Sequence, residues 1–199
     1  MSRRLDERGG PALRGRLLVV SGPSGAGKGT VVGKVLERRP DVLLSVSHTT
    51  RPARRGEIDG LNYHFITERE FLAARDRGEY LETAMVYRNY YGTPRRPVEA
   101  ALAAGRKVLL ELDIQGALAV KRAIPQAELI FIEPPSLDEL YSRLRGRGTE
   151  DSDALRRRVR AAYDEVKHRG LYDYIVVNDR LEDAVEQVVR ILDGSPNQR

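Results

Sequence analysis

A glycine-rich stretch near the start of the chain carries residue types that bind phosphate. Ser21–Thr30 reads SGPSGAGKGT, follows the apolar run Leu17–Val20, and leads into a helical pattern near Lys28. A strand, a glycine-rich turn and a helix in this order let backbone N–H groups and the helix dipole surround a phosphate. Lys28 adds a mobile positive charge for the β- and γ-phosphates. The stretch predicts a nucleotide phosphate site; the alternative is a glycine-rich turn with a chance lysine.

The hydroxyl of this loop comes one residue later than in the commonest phosphate-loop pattern, because Gly29 separates Lys28 from Thr30. We therefore expect magnesium to be held mostly by water and by substrate phosphates, with Thr30 as the candidate protein ligand. The residues predicted to bind the nucleotide phosphates are Gly22, Pro23, Ser24, Gly25, Ala26, Gly27, Lys28, Gly29 and Thr30.

Two further segments carry groups suited to a second, phosphorylated ligand. Arginines stand among hydroxyls between Ser47 and Glu57, and Tyr63 follows. Guanidinium forks match the oxygens of a dianionic monophosphate. Further on, Glu82 and the run Asn89–Thr93 supply a carboxylate, phenols and a hydroxyl. Guanine offers N1–H and N2–H₂ donors beside the O6 acceptor, an edge that a carboxylate plus a hydroxyl donor complements, whereas adenine has no N1–H to donate.

The elements that must position these residues alternate along the chain. Short apolar runs predict buried strands at 17–20, 42–44, 108–112, 129–132 and 175–177. Helical patterns follow the glycine-rich loop and recur at 98–104, 116–122, 137–145, 151–168 and 181–192. This alternation predicts an α/β fold, a parallel sheet with helices on both faces. Asp113 comes directly after the strand 108–112, at the sheet edge where such proteins bind ligands.

The polar stretch between residues 45 and 97 differs from its surroundings. Strands at 62–66 and 80–87 around a helix at 68–77 predict a small inserted subdomain. Gly146 and Gly148 predict a break between two arginine-rich helices. The expected boundaries are a core of 15–45, 98–137 and 169–193, an insert of 46–97, a helical pair of 138–168, and tails of 1–14 and 194–199, the first of them disordered.

Composition narrows the class of protein. The 199 residues carry a formal net charge of +5, and lysine accounts for only five of the 34 basic residues. No basic patch is interleaved with aromatics, so we expect small nucleotides rather than nucleic acid as partners. The absence of cysteine excludes disulfides and zinc–thiolate sites and fits the reducing cytoplasm. No apolar run approaches the length of a membrane span, so no membrane partner is expected.

With these residues in view, the sequence resembles the guanylate kinase family. The motifs that carry the resemblance run in family order over residues 16 to 193 and read GPSGAGKGT (22–30), SVSHTTRPARRGEIDGLNYHF (45–65), YLETA (80–84), NYYGT (89–93), LELDIQG (110–116), FIEPPS (131–136) and RLRGRGTED (143–151). The resemblance implies a P-loop NTPase-type fold with a GMP-binding insert and a mobile lid at 138–168. It also implies magnesium-assisted transfer from ATP to GMP, and to dGMP.

The resemblance further implies roles for individual residues. Those that would hold the GMP phosphate are Ser47, Arg51, Arg54, Tyr63 and Tyr91. Those that would recognise guanine are Glu82, Thr93 and Asp113. Those that would surround the transferring phosphoryl group are Lys28, Arg51, Arg143 and Arg158. Asn178 would lie on the adenine side of ATP. Thr83 stands where many members have Trp, and Ala53 where many have Pro.

Three further side chains carry expectations of their own. Glu111 alternates with apolar neighbours, which predicts a buried carboxylate near magnesium, and we group it with the GMP-binding residues. Glu57 is expected to pair with Arg54 or Arg55. His48 has no partners at metal-ligand spacing and is expected to be an exposed polar residue.

Two other functions compete with a GMP kinase. A noncatalytic module of the same fold would bind protein ligands and would be expected to lose the ATP machinery, yet Gly27, Lys28 and the arginines of the lid are all present. A kinase of a phosphorylated sugar would keep the phosphate loop but would not need Glu82, Thr93 and Tyr91 together. Guanine recognition therefore separates the alternatives.

Overall fold

The computed structural model describes residues 14–86, 88–145 and 152–194, with the backbone alone at 137, 144 and 152–158. The strands are β1 (Arg16–Ser21), β2 (Leu43–Leu44), β3 (His48–Thr49), β4 (His64–Phe65), β5 (Tyr80–Val86), β6 (Asn89–Pro94), β7 (Lys107–Glu111), β8 (Glu128–Glu133) and β9 (Tyr174–Val177). The helices are α1 (Lys28–Arg38), α2 (Glu68–Asp76), α3 (Arg95–Ala103), α4 (Ile114–Ala123), α5 (Leu137–Arg145), α6 (Ser152–Val166) and α7 (Leu181–Leu192).

The main sheet has five parallel strands in the spatial order β2-β7-β1-β8-β9. Alternate side chains of its central strands enter two separate cores. Leu18 and Val20 of β1 pack with α1 and α7 on one face, whereas Leu17 and Val19 pack with α3 and α4 on the other. Both faces of the sheet are therefore buried, which explains why its strands are continuous apolar runs.

A second sheet of four strands, in the order β4-β3-β6-β5, forms the polar insert. Its own small core is built on Phe71 of α2, whose ring stacks on Tyr80 and Tyr90 with centroids 4.7 and 5.3 Å apart. A capping box between Thr67 and Glu70 begins α2. The insert thus has independent packing, and β5 and β6 place Glu82 directly opposite Thr93.

The predicted elements of the main sheet are confirmed within one or two residues at most boundaries, and the α/β fold class is confirmed with them. Within the insert, only His64–Phe65 of the predicted strand 62–66 is a strand, and β6 at Asn89–Pro94 was not predicted as one. Helix α3 begins at Arg95 rather than Val98, because Pro97 lies in its first turn, where proline needs no N–H partner.

Several sequence-based expectations fall outside the described residues. These are residues 1–13 of the predicted N-terminal tail, residues 195–199 of the predicted C-terminal tail, and the predicted helix break at Gly146 and Gly148. For Arg158, only the helical backbone of α6 is described. Within the described ranges, no helix is both long and apolar enough to cross a membrane.

Candidate active site

The phosphate loop joins β1 to α1 and depends on glycine for its shape. Gly22 and Gly27 have φ angles of 140° and 88°, in the region that favours glycine. At Gly22 a Cβ atom would lie only 2.0 Å from the carbonyl oxygen of Ile132 in β8. The loop therefore packs directly on the neighbouring strand, with its N–H groups at the N-terminus of α1.

Two side chains hold this loop. Lys28 donates its Nζ to the carbonyl oxygens of Gly22 and Pro23, at 2.6 and 3.1 Å. Asn178, buried at the end of β9, donates its Nδ2 to the carbonyl oxygen of Ala26 at 2.8 Å. Asn178 thus supports the loop from the side of α7.

A cavity of about 250 Å³ opens beside the loop, between the carboxyl end of β7 and the insert. Most of the residues predicted to bind the second ligand line it. They are accompanied by Lys28 and by apolar side chains, the full set being Lys28, Ser47, Tyr63, Glu82, Ala84, Val86, Tyr91, Glu111, Leu112 and Asp113. The structure therefore brings together six predicted GMP-binding residues and the loop lysine.

At one end of the cavity two carboxylates converge on Gly116. A Cβ atom at that position would lie 3.2 Å from both Asp113 Oδ1 and Glu82 Oε2. Asp113 caps α4 by accepting the N–H of Gly116 at 2.7 Å, and Thr93 donates its hydroxyl to Glu82 Oε1 at 2.7 Å. Glu82 is only 7% exposed, and this burial raises its pKa, against the hydrogen bond from Thr93. The arrangement presents acceptors to a ligand that carries N–H donors.

Arg51 lies in the loop after β3 and is held in a fixed orientation. Its two terminal nitrogens donate to the two carboxylate oxygens of Glu57, at 2.9 and 3.0 Å, and its guanidinium lies 5.4 Å from the ring centroid of Tyr63. Hydrogen bonding to Arg51 lowers the pKa of Glu57. The expected pairing of Glu57 with the side chain of Arg54 or Arg55 is wrong, although Glu57 also accepts the backbone N–H of Arg54.

The other residues of the insert for which the sequence analysis made a prediction differ in their exposure to solvent. Tyr91 packs edge-on against Tyr63 with centroids 5.9 Å apart, while the side chain of Arg54 is exposed and is not part of the cavity wall. His48 is not an exposed polar residue: it is half-buried, and its Nδ1 lies 2.9 Å from the hydroxyl of Tyr80. The sequence could not show this pair, because the contact joins two strands of the insert.

Glu111, at the end of β7, is not buried as expected, because it opens into the cavity and water reaches it. Protein still surrounds the carboxylate, and partial removal from water raises its pKa, against the attraction of Lys28. Its oxygen lies 3.5 Å from where a Cβ of Gly29 would be, one residue before Thr30. The carboxylate of Glu111 therefore approaches the start of α1, next to the residue that precedes Thr30.

A second cavity of about 450 Å³ lies on the other side of the loop. Its lining comes from the loop, from α5 and from the segment after β9, namely Gly25, Gly27, Thr30, Arg143, Asn178, Asp179 and Leu181. Arg143 donates to the carbonyl oxygen of Asn178 at 3.0 Å and to Glu139 at 2.9 Å. The phosphate loop thus borders two cavities, one on each side.

One contact at this site was not predicted from the sequence. Glu165 of α6 accepts the backbone N–H of Ser24 in the phosphate loop. The highly charged pattern of α6 gave no signal that would single out this carboxylate from its neighbours. Only the fold brings it to the loop.

Comparison with known proteins agrees with this geometry. The family model described as guanylate kinase matches residues 14–195. A guanylate kinase of Clostridium perfringens is 50% identical over 179 residues, which cover 90% of this chain and 83% of that relative. One of Thermus thermophilus is 50% identical over 180 residues, covering 90% and 81%.

A solved structure agrees as well. The crystal structure of guanylate kinase from Anaplasma phagocytophilum superposes with a TM-score of 0.76 at 36% identity, covering 90% of this chain and 85% of that one. The family model spans nearly the whole chain, and the relatives match over most of their own length. On these grounds, the chain belongs to the guanylate kinase family.

Proposed function

We propose that this chain transfers the γ-phosphoryl group of ATP to GMP, giving ADP and GDP. The observation that supports this most strongly is the position of the phosphate loop between two cavities, one of which ends in paired carboxylates. A phosphoryl donor on one side and an acceptor on the other would meet at Lys28. Family membership and the matching relatives point to the same reaction.

Guanine recognition is assigned to Glu82, Thr93 and Asp113. Thr93 holds Glu82 Oε1, and the N–H of Gly116 holds Asp113 Oδ1, so each carboxylate offers its second oxygen to the base. Guanine carries N1–H and N2–H₂ on one edge and can satisfy both acceptors. Adenine presents an unprotonated N1 there, which would face a carboxylate and be rejected.

The GMP phosphate is assigned to Ser47, Arg51, Arg54, Tyr63 and Tyr91. Three of them, Ser47, Tyr63 and Tyr91, line the cavity, and Arg51 lies against the ring of Tyr63. A guanidinium and phenolic hydroxyls can donate together to one phosphate. Arg54 would have to turn inward from its exposed position to contribute.

The transfer itself needs positioning and positive charge rather than a protein nucleophile. Lys28 and Arg51 would supply charge from the GMP side, and Arg143 and Arg158 from α5 and α6. The loop residues Gly22 to Thr30 would bind the ATP phosphates, with Asn178 beside them. Exclusion of water from the two cavities would prevent hydrolysis of ATP.

Magnesium fits the oxygen donors at the start of α1. A carboxylate oxygen of Glu111 lies beside Gly29, the residue before Thr30, and among the residues with described side chains no group of three or more acidic or histidine residues could hold a metal. A cation held mainly by water and phosphates, with one or two protein oxygens, is what magnesium prefers. When bound, it would neutralise phosphate charge.

Several finer points belong to the same proposal. We propose that dGMP is also accepted, that 46–97 is the GMP-binding insert and 138–168 the lid, and that the core is 15–45, 98–137 and 169–193. A chain without cysteine fits work in the reducing cytoplasm, where GDP would feed the supply of GTP.

The test is formation of GDP from ATP and GMP with magnesium, followed by chromatography. Lys28→Ala should lower kcat on the order of 100-fold, because it removes a charge that stabilises the transferring group. Lys34→Ala is the matched control, since Lys34 lies on the exposed face of α1 and pairs with Glu37 at 2.7 Å. GMP binding without turnover would favour the protein-binding module; neither binding nor turnover would favour a phosphorylated sugar.

A further inference from the structure

A carboxylate of α6 accepts a hydrogen bond from a backbone N–H of the phosphate loop. The backbone N–H of Ser24 donates to Glu165 Oε2 at 3.2 Å, although the two residues are 141 positions apart in the chain. Ser24 is the third residue of the loop that begins at Gly22, and Glu165 lies one residue before the end of α6. A loop N–H that can donate to a phosphate oxygen therefore donates to a protein oxygen.

The charges around Glu165 are those that a phosphate would meet. Lys28 attracts the carboxylate, and Asp113 repels it. Burial raises the pKa of Glu165, while the hydrogen bond from Ser24 and the charge of Lys28 oppose that rise. The carboxylate thus accepts a backbone N–H and lies in the field of a lysine, the two kinds of group that bind nucleotide phosphates.

The segment that presents Glu165 is attached to the main sheet. Directly after α6, Arg169 forms an ion pair with Glu133 at 3.4 Å, and Glu133 is a buried residue at the end of β8. The N–H of Tyr172 donates to the carbonyl oxygen of Arg169 and closes the turn. Glu165 therefore lies at the end of α6 that is nearest this attachment.

We propose that Glu165 competes with the terminal phosphate of a nucleoside triphosphate for the Ser24 N–H, and so sets the affinity of the loop for ATP. The inference rests on the proposed function, in which this loop binds ATP. A single N–H cannot donate fully to a carboxylate and a phosphate at once, and two anions so close repel each other. Binding of the triphosphate would release the contact between α6 and the loop.

The experiment is calorimetric titration of the full chain with ATP and magnesium, without GMP. Glu165→Gln keeps an oxygen acceptor of the same reach but removes the charge. The dissociation constant for ATP should fall about fivefold, because a charged acceptor holds an N–H more strongly than a neutral one. Glu165→Asp should also lower the dissociation constant for ATP, since the shorter side chain no longer reaches Ser24.

Asp164→Asn is the matched control. It removes the same charge from the adjacent position, but Asp164 is exposed and pairs with Lys167 at 2.7 Å. Its ATP affinity should stay within about twofold of that of the unmodified chain, a change of less than half a kcal/mol. The GMP affinity of all three variants should be unchanged, and thermal unfolding confirms that each is folded.

Tighter ATP binding in both Glu165 variants, but not in Asp164→Asn, supports the competition. Equal or weaker ATP binding in both would overturn it, because a purely structural role can only weaken binding when the residue is lost. The readout needs no turnover. A chain that binds ATP but forms no GDP would refute the proposed function alone, whereas no ATP binding in the unmodified chain would overturn both.

Discussion

At the scale of single residues, Glu82 shows a conflict between stability and recognition. It is 7% exposed, and burial raises its pKa above that of an ordinary glutamate. A raised pKa in the folded state means that ionisation costs folding free energy, and the cost appears as the pH rises through the folded pKa. Ionisation of Glu82 thus lowers the stability of the fold, but it would strengthen the hydrogen bonds from guanine, because an ionised carboxylate is the better acceptor.

Glu82→Gln should therefore weaken GMP binding and stabilise the fold. We expect the GMP dissociation constant to rise roughly 10- to 100-fold, because an amide N–H₂ would face the donors of guanine and leave them unpaired. The melting temperature should rise at pH 8, and this gain should shrink as the pH falls through the raised folded pKa and disappear below the ordinary glutamate pKa of 4.5, where the carboxyl becomes protonated in both states. Calorimetry and thermal unfolding measure the two effects. Unchanged GMP affinity would contradict the assignment.

Residues differ in how far the sequence reveals their partners. Glu82 and Thr93 are predictable because they stand in short segments with a chemical reason to meet, and β5 and β6 place them opposite each other. The partner of Glu57 is not predictable, since several arginines lie within its reach and only the fold of the loop selects Arg51. Glu165 is a charged residue on a charged helix, and its contact with Ser24 depends on tertiary structure alone.

At the scale of elements, the path from β1 to α1 depends on close packing of the loop on β8. Gly22 has a φ of 140°, and its α-carbon faces the carbonyl of Ile132. The main strands are predictable because burial on both faces makes them continuous apolar runs. Strand β6 is not, because its polar and aromatic residues follow no simple alternation and its pairing with β5 and β3 decides its conformation.

Gly22→Ala should destabilise the fold and abolish ATP binding. The new Cβ would overlap a backbone oxygen at 2.0 Å, and an alanine would be strained at this φ. We expect a loss of several kcal/mol, more than about 3, in the free energy of unfolding measured with urea. Gly33→Ala in α1 is the control: a Cβ there meets nothing within 4 Å, so stability should rise by roughly 0.5–1 kcal/mol. Equal changes in the free energy of unfolding for Gly22→Ala and Gly33→Ala would contradict the close packing of Gly22 on β8.

At the scale of the whole molecule, the two cavities are built by different parts of the chain. The insert, Lys28 and the end of β7 with the residues after it form the first, while α5 and the segment after β9 form the second with the loop. Arg143 belongs to the second cavity and is held by Glu139 and by the carbonyl of Asn178. If the second cavity binds ATP, as we propose, Arg143 should affect transfer more than it affects GMP binding.

Arg143→Ala should lower kcat on the order of 100-fold, because it removes positive charge from the transferring group, while the GMP dissociation constant changes little. Arg145→Ala is the matched control, since Arg145 is exposed in the last turn of the same helix. Steady-state kinetics gives kcat, and calorimetry gives GMP affinity. An equal loss in both quantities would make Arg143 a ground-state binding residue.

Above all, we propose that the cavity beside the phosphate loop selects guanine for phosphorylation. The most direct measurement is release of ADP from ATP and magnesium with GMP, AMP, UMP and CMP offered in parallel, compared as kcat/KM. The paired carboxylates predict strong turnover with GMP, and at least about 10⁴-fold less with AMP, because buried acceptors are left unpaired by a base without their donors. Comparable turnover with GMP and AMP would contradict the account.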